Sequence, residues 1–158
     1  MRIKRIQLSW FRGAADPVSL EPDSNSMIVY GGNGSGKSSF VDAVEYIINN
    51  GRITHLAHEY SGKNQEKAIL NTHIPEGQPA ELKFKFQDNS ELKTVFSQKG
   101  ISSSSGAETV AMNTWDYRRT VLRQDEVSTF VHNTKGDKYS ALLPLLGLDQ
   151  MADRKSVV

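Results

Sequence analysis

Gly31-Gly32-Asn33-Gly34-Ser35-Gly36-Lys37-Ser38 is the stretch on which the reading of this chain turns. It fits G-x-x-x-x-G-K-[ST] at every position. The apolar run Met27-Ile28-Val29-Tyr30 before it predicts a short buried strand. After it, Phe40, Val41, Val44, Ile47 and Ile48 recur at helical spacing and predict a helix covered on more than one side. Strand, glycine-rich loop and helix form the context the motif requires. The glycines let the backbone wrap round an anion, so that successive N–H groups face phosphate oxygens. The loop feeds a helix N-terminus, whose partial positive charge and unpaired N–H groups favour phosphate. Lys37 adds a full charge at the β- and γ-phosphates, and the Ser38 hydroxyl is placed to ligate Mg²⁺. Gly31, Asn33, Gly34, Ser35, Gly36 and Ser39 complete the expected nucleotide contacts, Asn33 and Ser39 as further donors. The motif implies a nucleoside triphosphate site.

The rest of the composition bounds the class. The chain has 158 residues, 19 Lys+Arg against 18 Asp+Glu, and no cysteine. That excludes a disulfide scaffold, a cysteine nucleophile and any Cys-based zinc site. A near-neutral balance excludes a polybasic arm, although a local basic stripe stays open. No apolar run approaches the roughly 20 residues of a spanning helix, and the N-terminus lacks a signal-peptide core. The expectation is a cytoplasmic protein with no membrane partner.

Around the motif, Arg2 to Trp10 alternates, with Ile6, Leu8 and Trp10 on one parity, and predicts a strand with one face covered. Val18 to Leu20 predicts a second short strand. Asn49-Asn50-Gly51 ends the helix. The signal from Arg52 to Pro79 is weak, and Gly62 to Gln65 reads as an exposed loop. Ala80 to Phe86 and Leu92 to Phe96 predict a hairpin. Gly100 to Gly106 predicts a loop tip. Trp115 to Leu122 predicts a strand, Glu126 to His132 a helix capped by Asp125, and Lys138 to Leu146 a second helix. His55 and His58 are spaced i, i+3, but no acid or cysteine in the sequence pattern completes a metal set, so no zinc is expected. Arg118, Arg119 and Arg123 form either a phosphate-tracking stripe or a solvated basic face. Trp10 and Trp115 read as core.

Thr134-Lys135-Gly136-Asp137 matches one GTPase motif, but no Asp is followed three residues later by Gly, and the stretch reads as a turn. No apolar strand ends in a second acid that would hold Mg²⁺. Leu145-Leu146-Gly147-Leu148-Asp149 is interrupted by glycine and reads as a helix end.

Several segments together resemble the N-terminal ATPase lobe of the SMC, RecF, RecN and SbcC-like ABC ATPases. They are Ile6 to Gly13 as the opening strand and its Phe-Arg corner, Tyr30 to Ser39 as the phosphate loop, and Val41-Asp42-Ala43-Val44-Glu45 after it. Val121 to Val127 resembles the Q-loop, and Lys138 to Leu148 the stretch before a coiled coil. The resemblance implies an α/β P-loop fold with a mixed sheet beside an antiparallel hairpin. Residues 1–150 would be the lobe and 151–158 the start of a coiled coil or linker. It assigns Lys37 and Gln124 to catalysis, Ser38 and Gln124 to Mg²⁺, and Arg12 to the ATP sugar or phosphates. Its expected partners are a C-terminal lobe carrying the missing acid, a second copy sandwiching ATP, DNA, and a nuclease or other accessory subunit. The implied activity is ATP hydrolysis coupled to DNA repair, chromosome organisation or defence. The alternative is a nucleotide-binding regulatory or assembly module that does not hydrolyse ATP.

Overall fold

The computed structural model describes residues 2–49, 51–59, 68–98, 102–106, 121 and 123–142. Two compact units divide the chain, residues 1–115 and 116–158. The boundary expected at 150, the coiled-coil start, the loop at 62–65 and Trp115 lie outside the described residues, as does the strand expected at 115–122 apart from Val121.

The first unit is built on a five-stranded sheet in the order β2-β1-β3-β4-β5. Its strands are β1 (Ile3–Ser9), β2 (Val18–Leu20), β3 (Ala80–Phe86), β4 (Glu91–Phe96) and β5 (Ser102–Ser105). The alternation in the sequence dictates the sheet's two faces. Ile6 and Leu8 of β1, Leu82, Phe84 and Phe86 of β3, and Leu92 and Phe96 of β4 all turn inward and are buried. Full burial of each large apolar side chain contributes about 1.5–3 kcal/mol. Thr94 shares that inward parity, and its hydroxyl is tolerated because Oγ1 lies 3.0 Å from Ser104 Oγ. That contact belongs to β5, where the sequence predicted only a loop tip. The serine run instead pairs antiparallel with β4, from Lys93↔Ser105 to Phe96↔Ser102.

On the outward face Arg5 stands opposite Lys85, and Lys83 opposite Lys93. Such like-charge pairs are unfavourable unless acids intervene. Glu21 pairs with Arg5, Glu91 with Lys85, and Glu81 with both Lys83 and Lys93 at 2.8 and 2.9 Å. Hydrogen bonds from Lys83, then Lys93, hold the Glu81 carboxyl below its ordinary value of 4.5. A lowered acid contributes stability above its unfolded pKa and loses it as pH falls through the folded one. Glu81→Gln should therefore cost up to about 1 kcal/mol at neutral pH and progressively less as pH falls below the ordinary carboxyl value and through the lowered one, as urea unfolding across that range would measure. A loss that does not shrink with falling pH would exclude the ion pairs as the cause.

Two helices belong to this unit, α1 (Lys37–Ile48) and α2 (Thr54–Glu59). Tyr46 of α1 meets Phe96 edge-on at 5.1 Å, which anchors the helix to the sheet. Gly51, at φ 85°, turns the chain after the helix, and its N–H donates to Tyr46 O at 2.7 Å. The buried face of α1 corrects the sequence reading. Ser39, Asp42, Ala43, Glu45 and Tyr46 are buried, whereas Phe40, Val44 and Ile47 are only partly covered and Val41 is exposed. The helix is rotated so that two carboxylates point inward, because both find donors there: Arg12 for Asp42 and the Thr54 N–H for Glu45.

A larger correction concerns Met27 to Tyr30. It is neither a strand nor buried: Ile28 is 91% and Tyr30 92% exposed, with Met27 and Val29 near half that. Every pairing among the described strands is antiparallel, and the parallel part of the expected mixed sheet is not formed among them. An apolar run exposed on both parities has the composition of a central strand without the neighbours that would cover it.

In the second unit α3 (Gln124–His132) precedes α4 (Lys135–Leu142). The first starts earlier than expected, so Asp125 lies within it rather than capping it. Thr134 is the cap of α4. Its Oγ1 accepts from the Asp137 N–H at 3.3 Å and donates to Asp137 Oδ2 at 2.7 Å. The Thr-Lys-Gly-Asp stretch is thus a helix start. Thr134→Ala should destabilise α4 by about 1 kcal/mol, read as faster amide exchange over 135–142. Unchanged exchange would remove the cap from the account.

Candidate functional site

The phosphate loop runs from Gly31 to Gly36 and delivers the chain into α1 at Lys37. Gly34 and Gly36 sit at φ 80° and 82°, a left-handed conformation that costs any residue with a Cβ about 1–2 kcal/mol. Those two turns fold the loop back over the helix start. No side chain caps the N-terminus of α1 and its first turn holds no acid. Its partial positive charge is therefore left for a ligand.

Lys37 Nζ folds over the loop and donates to Gly31 O at 2.8 Å, Gly32 O at 2.6 Å and Ser35 Oγ at 3.3 Å. It holds the concavity together and keeps the ammonium at its centre. Asn33, Ser35 and Ser38 are exposed around it. A Cβ at Gly32 would meet nothing within 4 Å, so the mouth of the loop is open. These features fit a triphosphate: an uncapped helix N-terminus, the Lys37 ammonium held against the loop, and an exposed hydroxyl at Ser38 for a divalent cation. Ser39 departs from its expected part as a phosphate donor. It is buried, and its Oγ accepts from the Gly13 N–H at 3.0 Å.

Arg12 also departs from the sequence expectation. Its guanidinium, which the resemblance assigned to the nucleotide, spans three elements of the first unit. Nε donates to Asp42 Oδ2 at 2.9 Å, Nη1 to Ala68 O at 2.8 Å, and Nη2 lies 3.4 Å from His55 Nε2. Asp42 is 1% exposed, and a buried carboxylate that close is a stronger partner than water.

His55 gains from the fold what the linear pattern denied it. Asp42 and Glu45 come together with it, with one ligand-capable atom from each within 4.8 Å of the others. Arg12 already supplies the positive charge to that cluster. The His58 side chain is not among those described.

Gln124 is the first residue of α3 and is exposed. It and the phosphate loop belong to different units. Leu122, Arg118 and Arg119 lie outside the described residues, as do Leu143 to Leu148. Asp42 entered the sequence reading only as part of the Val41 to Glu45 segment and was given no role there. The apolar stripe of the helix did not turn Asp42 inward, so no local signal marked it; only its pairing with Arg12 does.

Comparison with known proteins places this geometry in context. The profile of the AAA ATPase domain family matches residues 1–146. The chromosome partition protein Smc of Methylococcus capsulatus is 30% identical over 139 residues, covering 85% of this chain and 10% of the relative. The DNA replication and repair protein RecF of Shewanella frigidimarina is 33% identical over 76 residues, covering 47% of this chain and 21% of the relative. The chain thus spans about a tenth of the length of the Smc protein it matches. Among solved structures, one from work on ATP-driven dimerization and DNA-stimulated activation of SMC ATPases superposes with a TM-score of 0.69. It covers 92% of this chain and 99% of the other at 15% identity, a likeness of fold.

Proposed function

The chain belongs to the AAA ATPase domain family, and from that premise we propose that it is the ATP-binding N-terminal lobe of an SMC-like ATPase head. In this reading it couples ATP binding and hydrolysis to DNA processing, as in chromosome partition or repair. The observation that carries the reading is the phosphate loop, with its uncapped helix start and the Lys37 ammonium at its centre. ATP binds with its β- and γ-phosphates at the N–H groups of residues 34–38, and Lys37 exchanges its carbonyl partners for phosphate oxygens. The SMC-like resemblance would give Ser38 and Gln124 the Mg²⁺ ion, which would supply charge neutralisation on the phosphates. The same resemblance would have Gln124 orient the attacking water.

Hydrolysis requires a second, C-terminal lobe that supplies the acid absent from this sequence. The exposure of Met27 to Tyr30 supports this, since an apolar run leading into the phosphate loop is left uncovered. Strands of that lobe would flank it. Two such heads sandwiching ATP, with DNA as the partner of the assembly, follow from the SMC likeness. The place of action is then the cytoplasm, at the nucleoid, and no helix among the described residues is long and apolar enough to cross a membrane.

Calorimetric titration with MgATP tests the binding half of this reading. A turnover assay with and without the second lobe tests the other half. Binding without turnover in both arms would favour a regulatory or assembly module.

A further inference from the structure

The contacts around Arg12 point beyond the phosphate loop itself. Arg12 sits at φ 52° and Trp10 at φ 54°, so two residues in three adopt a left-handed conformation without being glycine. Each such residue stores strain that the surrounding contacts must overcome. At Arg12 those contacts are numerous. Its N–H donates to Ile69 O at 2.8 Å, its carbonyl accepts from Asn71 Nδ2 at 2.8 Å, and its guanidinium reaches Asp42, Ala68 and His55. The next residue, Gly13, gives its N–H to Ser39 Oγ at 3.0 Å. A Cβ on Gly13 would lie 3.2 Å from that oxygen and 3.6 Å from the Gly36 Cα, so the corner presses against the end of the phosphate loop.

Ser39 and Asp42 are three residues apart and therefore share one face of α1. Arg12 and Gly13 fasten to both. Tyr46 against Phe96 and Glu45 on the Thr54 N–H anchor the later turns of the helix, and the attachments at Ser39 and Asp42 hold the rotation of its first turns. That rotation decides where the unpaired N–H groups at the helix start aim, together with Lys37 and Ser38.

We propose that Asp42 is a positioning residue for the phosphate site: through Arg12 it clamps the corner after β1 onto α1 and fixes the aim of the loop's last N–H groups. The inference rests on residues 31–38 being a nucleotide-phosphate site. Asp42 touches no phosphate in this scheme. It acts through Arg12, and His55 and Ala68 O hold the far side of the guanidinium.

The test is MgATP affinity, measured by calorimetry on the full chain well below the unfolding midpoint of each variant. Under that condition a purely structural role leaves affinity unchanged. Asp42→Asn keeps the shape of the side chain and removes its charge, and it should weaken MgATP binding about tenfold. Arg12→Gln should weaken it comparably, and the double variant should be no worse than either single one. Native affinity in folded Asp42→Asn, or fully additive losses in the double variant, would overturn the proposal. If Asp42→Asn does not fold, Arg12→Lys decides. It keeps the charge but cannot span three partners, so weakened binding supports the clamp and native affinity refutes it. Lys37→Ala serves as the control for the premise. If it leaves binding intact, the nucleotide site itself is wrong, whereas its failure to bind beside a native Asp42→Asn rejects only the clamp.

Discussion

Lys37→Ala should weaken MgATP binding by about 100-fold or more while leaving thermal unfolding close to that of the unsubstituted chain. The two halves of that expectation come from the same geometry. Without ligand, Lys37 Nζ donates to two exposed loop carbonyls and one exposed hydroxyl. Water replaces those partners when the side chain is removed, so stability changes little. With ligand, the same ammonium meets phosphate oxygens as a charge-assisted donor, each such bond being worth about 1.5–3 kcal/mol. Two of them lost correspond to a factor of about 100 or more in affinity. The unsubstituted chain should itself bind MgATP more weakly than about 1 μM if, as proposed, part of the site lies on a second lobe. Sub-micromolar binding by this chain alone would contradict the incomplete site. Native affinity in Lys37→Ala would contradict the site altogether.

Adding the proposed C-terminal lobe should raise ATP turnover from background by at least about 100-fold, since it would bring a metal-holding acid and cover for Met27 to Tyr30. Ile28 and Tyr30 supply the specific handle. Both side chains are more than nine-tenths exposed, so Ile28→Asp should leave the folding of this chain unchanged. Against a second lobe the same change places a charge between strands and should abolish the gain in turnover. Amide exchange over residues 27–30 should slow when the lobe is added, and only then. An unaltered rate with the lobe present, or full complementation by Ile28→Asp, would remove the proposed docking. Turnover by this chain alone, abolished in Lys37→Ala, would show that no second lobe is needed.

Much of the first unit was legible in the residues. The alternation of Ile6 and Leu8, and of Leu82, Phe84 and Phe86, marks strands because a two-residue period turns each apolar set to one face. The hairpin, β2 and the start of α1 follow from equally local signals. Besides α2, which lies in a stretch of weak signal, three features were not legible. Ser102 to Ser105 lacks any apolar pattern, and it pairs because the open edge of β4 supplies hydrogen-bond partners. Met27 to Tyr30 has the composition of a buried strand, and composition states what a segment tolerates rather than what lies beside it. The rotation of α1 contradicts its own apolar stripe, since two inward carboxylates find donors on distant segments.

The candidate site divides along the same line. The glycines at Gly34 and Gly36, Lys37 and Ser38 are adjacent in the chain, and their chemistry is set by local backbone geometry that the sequence dictates by itself. Arg12 and Ser39 were expected at the nucleotide, but each is turned inward by a partner remote in sequence: Asp42 lies 30 residues from Arg12, and Gly13 26 from Ser39. The linear order therefore determined that this protein has a phosphate loop. Only the tertiary structure decided what braces it. A left-handed corner, a buried carboxylate and a helix face meet only after the sheet has formed, and their ion pair and hydrogen bonds depend on distances that the sequence does not encode locally.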